Sequence, residues 1–157
     1  MNVNATNWLW HPYLFQLTKD IIWDSEKKDV NYTSADGMLI IVNGVWTIKK
    51  GFKWNGTTAW TDSPYLPDGE IVPFISLKGH RKPVSWMQTL LHDVGCIYVD
   101  SYPLFPYTRS EIDRYFYIGL KKIGFKNEYM YYIAVRSFSI VRQPYVSFRK
   151  LYKQFTN

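Results

Sequence analysis

The 157-residue chain is 46% hydrophobic and 20% charged, which is enough apolar material for one packed domain and too much for a disordered tail. Its formal net charge is +6, and its single cysteine, Cys96, excludes any intrachain disulfide. No window approaches the roughly 18 apolar residues of a membrane span, and aromatic residues reach 18%.

The N-terminal stretch "MNVNATNWLWHPYLF" lacks a basic start followed by a long apolar run, so it does not read as a signal peptide. With one cysteine, this predicts synthesis in a reducing cytoplasm. "KDIIWDSE" reads as a strand ended by charge, and Asp36-Gly37 as a turn. The clearest local signal follows: Met38 to Val42, then Asn43-Gly44, then Val45 to Ile48, a β-hairpin closed by a type I′ turn. "TDSPYLPDGEIVPF" is rich in Pro, Gly and Asp and reads as a loop, and "EIVPFISL" reads as a short strand or an extended arm, limited by Pro73 to an edge.

The pattern turns helical after residue 82. Trp86, Leu90, Val94 and Ile97 recur at helical spacing. Two prolines in "DSYPLFPY" break that helix, and "TRSE" at Thr108 to Glu111 is a capping box that opens a second. Its stripe is Ile112, Tyr115, Phe116, Gly119, Leu120 and Ile123, and Gly124 ends it. Asn127 caps a third helix through "EYMYYIAVRSFSIVRQ", Pro144 stops or kinks it, and "YVSFRKLYKQF" suits a last short amphipathic helix. The predicted class is α+β in one domain over 1–157: a small antiparallel sheet in 1–82, then three or four packed helices in 83–157.

The charge is uneven. From Leu120 onward the bases are Lys121, Lys122, Lys126, Arg136, Arg142, Arg149, Lys150 and Lys153, against one acid, Glu128. A basic face can meet nucleic acid, anionic lipid or an acidic protein. No phosphate loop, zinc spacing or RNA-binding signature accompanies it, so nucleic acid is not favoured.

The candidate site is His92-Asp93, in "TLLHDVGCIYVD". Successive helical side chains diverge by about 100°, so the two serve different partners. Asp113 lies beside the apolar stripe of the next helix and, in an antiparallel pair, reaches the His92 ring and fixes its tautomer. A histidine held by a buried carboxylate can act as a general base on water. Asp93, with loop oxygens, suits a hard cation. The metal-dependent phosphohydrolases that share an "HD" doublet need a further upstream histidine; His80, in "KGHRKP", is poorly spaced, and that reading is set aside. Asp62, Asp68 and Glu70 could supplement a cation site but read first as solvated loop acids, Arg136 reads as the partner of a carboxylate, Cys96, one turn after His92, as a small core residue ahead of a Cys-His nucleophile, and His11 beside Pro12 as a turn residue.

Four blocks in order, "GFKWNGTTAW", "TLLHDVGCIY", "TRSEIDRYFYIGLKKIGF" and "YYIAVRSFS", resemble the phage-borne family called domain of unknown function 1353. The resemblance runs from Gly51 to Ser139, and "AVRSF" at Ala134 to Phe138 is its most specific part with the order of blocks. It implies a phage protein, a virion (tail or assembly) or host-takeover component, whose partners are other phage proteins or a membrane surface. The same blocks more faintly resemble prokaryotic secreted phospholipase A2. That resemblance implies His92 as the base, Asp113 as its orienting group, and Asp93 with the loop position Asn55 as calcium ligands.

The chain departs from both patterns. Asn55 stands where aspartate is usual, Thr57 and Thr58 replace "A-S" or "C-S", Cys96 replaces a tyrosine, and no disulfide can form. A centre kept for folding and a working one both remain open. The leading expectation is a phage-encoded accessory or virion-associated protein. The alternatives are a calcium-dependent esterase on membrane lipid and a host-protein or nucleic-acid binder using the basic C-terminal helices.

Overall fold

The computed structural model describes residues 13–56, 64–77, 79–102 and 104–141. His11, Pro12, Thr57, Thr58, Asp62, Pro144 and the expected last helix lie outside the described residues. The class is α+β, antiparallel sheets followed by helices. The chain forms two compact units, Met1–Trp86 and Met87–Asn157, divided close to the change of pattern at residue 82.

The first unit holds seven short strands: β1 (Phe15–Leu17), β2 (Ile21–Asp24), β3 (Tyr32–Thr33), β4 (Leu39–Val42), β5 (Val45–Ile48), β6 (Lys53–Trp54) and β7 (Phe74–Ser76). They form a sheet ordered β2-β5-β4-β3 and another ordered β6-β1-β7. The expected hairpin is β4-β5, with Val42 opposite Val45. Asn43 and Gly44 take φ values of 50° and 79°, the paired positive φ of a type I′ turn. Alternation sets the faces: Leu39, Ile41, Trp46 and Ile48 are buried, while Val42 is exposed.

β7 is an edge strand, as Pro73 requires, and the Pro73 carbonyl accepts the Thr18 amide. The strand run in "YLFQL" and the short β3 and β6 were not legible, because two or three residues carry no alternation to read. β1 is nonetheless the centre of its sheet: Phe15 faces Trp54 on one side and Ser76 on the other, and the Phe15, Trp54 and Phe74 rings pack 5.2 to 5.4 Å apart.

The second unit contains α1 (from Trp86, the last residue of the first unit, to Ser101), α2 (Arg109–Lys122) and a helix over 128–141, termed α3. α2 starts with the expected capping box: the Thr108 hydroxyl accepts the Glu111 amide at 3.2 Å, and the Glu111 carboxylate accepts the Thr108 amide at 2.7 Å. It ends in a Schellman turn. The Phe125 amide donates to the Leu120 carbonyl and the Gly124 amide to Lys121, with Gly124 at φ 64°. That turn buries Phe125 against Leu120 and Phe116, with Tyr131 and Val135 of α3 packed on the cluster.

α1 and α2 approach closely at Gly95, which faces the side chain of Ile112 so tightly that an added Cβ would stand 2.6 Å from it. This close approach sets the two helices at the separation that the polar centre described next requires.

Candidate functional site

Three helices supply the centre. His92, Cys96 and Asp100 recur at i, i+4 and i+8 along one side of α1, Arg109 and Asp113 at i and i+4 on α2, and Arg136 and Ser139 at i and i+3 on α3. They converge on Asp113, which is 0% exposed. Its Oδ1 lies 2.9 Å from His92 Nε2 and 3.6 Å from Arg109 Nε. Its Oδ2 accepts the Ser139 hydroxyl at 2.8 Å and Arg136 at 3.2 Å. Arg109 also donates from Nε to Ser139 at 3.0 Å and lies 3.4 Å from Asp100. Each partner type is the one a buried carboxylate demands, since an anion out of water needs donors on both oxygens.

Burial by itself would push the Asp113 carboxyl up, but the hydrogen bonds from His92 and Ser139 and the charges of His92 and Arg109 outweigh it and hold the group below its ordinary value. Burial would likewise push the His92 imidazole down. The Cys96 sulfur, the bond to Asp113 and the nearness of Asp93 outweigh it and hold the ring well above its ordinary value. The direction of both shifts favours the ionised pair, an imidazolium against a carboxylate, whereas a general base needs its ring neutral.

The surroundings of His92 point the same way. Its side chain is 11% exposed, and its ring packs 4.9 Å from that of Phe116. Cys96 Sγ lies 3.7 Å from Nδ1 and 3.6 Å from Nε2. Near-equal distances place the sulfur off line with the in-plane lobe of either nitrogen. Cys96, His92 and Asp113 thus stand side by side, the residue types of a Cys-His nucleophile with its orienting carboxylate. Cys96 is nonetheless buried, as a small core residue is.

His92 and Asp113 thus come together as the antiparallel packing of their helices allows. Asp93 lies at ion-pair rather than hydrogen-bond distance: its Oδ1 is 3.9 Å from His92 Nδ1, and its side chain is partly exposed. Asn55 is buried in the first unit, just after β6. Calcium takes about six to eight oxygens. Of the two assigned ligands, Asp93 belongs to the helical unit and Asn55 to the strand-rich one, and Asp93 by itself supplies fewer oxygens than calcium takes. Among the described residues, no group of three or more His, Cys, Asp and Glu side chains is placed to hold a metal ion. His80, Asp68 and Glu70 are exposed in the first unit.

Arg109, Ser139 and Asp100 belong to the centre without having been singled out from the sequence. Their signal was the i, i+4 spacing of Arg109 to Asp113 and the i, i+3 spacing of Arg136 to Ser139, which becomes legible only once Asp113 is known to be buried. No family model, curated protein or solved structure compared with the chain matches it.

Proposed function

We propose that the chain is a phage-encoded accessory or virion-associated protein, a structural and interaction module whose His-Asp-Asp centre ties three helices together. One observation carries this reading: the fully buried Asp113 carboxylate has His92, Ser139 and Arg136 on its two oxygens, drawn from the helices on either side. Such a network specifies how helices pack. The phage setting rests on the four blocks that resemble domain of unknown function 1353.

A second reading, a calcium-dependent phospholipase A2-like esterase, is favoured by the 2.9 Å contact of His92 with Asp113, the pairing that resemblance requires. One assay separates the two. Fatty-acid release from phospholipid vesicles is measured with and without calcium for the wild type and His92→Ala. The module predicts no release from folded wild type, and it predicts that the chain co-purifies with phage particles. Calcium-dependent release that disappears in a folded His92→Ala would overturn it.

A further inference from the structure

α3 is apolar nearly all round; Glu128 and Arg136 are its only charges. One face is used inside the helical unit: Arg136 and Ser139 meet Asp113, Tyr132 packs 5.0 Å from Tyr117, and Tyr131 packs 5.1 Å from Phe125. Another face is exposed among the described residues: Met130, Ile133, Ile140 and Val141 are between 41% and 79% exposed. At 100° per residue they cover an arc of about 100°, the width of the stripe a surface helix normally buries. An uncharged exposed face of this kind marks a contact surface.

The charges around it select the occupant. Lys121, Lys122 and Lys126 are exposed just ahead of α3, and Arg142 follows it in the sequence. A second copy pairing in parallel along this face would set these lysines against one another. An anionic sheet of headgroups matches them and accepts the full width of the apolar arc. No helix among the described residues is long and apolar enough to cross a membrane, so α3 would lie along the surface. We propose that α3 seats its outer face in an anionic phospholipid surface, with the flanking lysines on the headgroups. This goes beyond the reading of the centre and does not depend on it, because no residue of the outer face touches Asp113.

The test is co-sedimentation of the full chain with vesicles of phosphatidylcholine alone and of phosphatidylcholine with phosphatidylglycerol. Binding is expected only to the anionic vesicles and should weaken with salt. Ile133→Glu with Ile140→Glu should reduce it by about tenfold or more. Lys121→Gln, Lys122→Gln and Lys126→Gln together, which change only exposed charges, should also reduce it if the first variant fails to fold. Wild type that ignores anionic vesicles would overturn the proposal, as would variants that bind as well as wild type. Light scattering that shows a dimer, made monomeric by Ile133→Glu with Ile140→Glu, would overturn it in favour of a second copy.

Discussion

Asp113 is the residue on which the helical unit turns. A carboxylate removed from water is stable only while its donors stay in place, and here they come from three helices. Asp113→Asn keeps the shape and removes the charge, leaving His92, Arg109 and Arg136 without their anion. It is expected to destabilise the protein by about 3 to 5 kcal/mol, read as a lower urea midpoint. The pH dependence follows from the two shifts. His92 is raised above its ordinary 6.5, so its contribution is complete below that pH and is lost as pH rises through the raised value. Asp113 is lowered from its ordinary 3.8, so its contribution is present above that pH and is lost as pH falls through the lowered value. Stability should therefore decline on the alkaline side of 6.5, and urea titrations of His92→Gln over the same range should show a flatter profile.

At the scale of the element, the closest approach of α1 and α2 governs whether the polar bonds form at all. Gly95 is needed for lack of space, since its helical backbone is ordinary and Ile112 fills the room a side chain would use. Gly95→Ala should cost about 1 to 3 kcal/mol through overpacking, despite its better helix propensity. A thermal melt that shows equal or greater stability would mean that the helices separate freely. Helix ends were the most legible elements, because the chemistry of a cap is local: Thr108 with Glu111, and Gly124 with its left-handed φ, need only neighbours in sequence. The central strand β1 was the least legible, because its identity comes from β6 and β7, which lie far along the chain.

For the whole molecule, the distribution of chromophores offers a direct probe. All seven Trp precede residue 87, so tryptophan fluorescence reports the strand-rich unit, and ellipticity at helical wavelengths reports mainly the other. For Asp113→Asn the helical midpoint is expected to fall. A tryptophan midpoint that falls by the same amount shows one cooperative fold, and one that holds shows two. The same division bears on the candidate site. His92, Asp93 and Asp113 belong to one unit and Asn55 to the other, so the loop that the phospholipase resemblance assigns to calcium sits in the strand-rich half.

The sequence by itself determined the class, the hairpin and its turn, the helix caps, and the pairing of an imidazole on one helix with a carboxylate on the next. These rest on periodicity and on contacts a few residues long, which physical chemistry reads without a fold. Only the tertiary structure decided what surrounds that pair. Arg109, Ser139 and Arg136 close on Asp113 from two helices, Cys96 and Phe116 cover His92, and the outer face of α3 remains exposed. The reason is desolvation: whether a His-Asp pair is a base or a brace depends on how much water and how many donors reach it, and that is a property of packing.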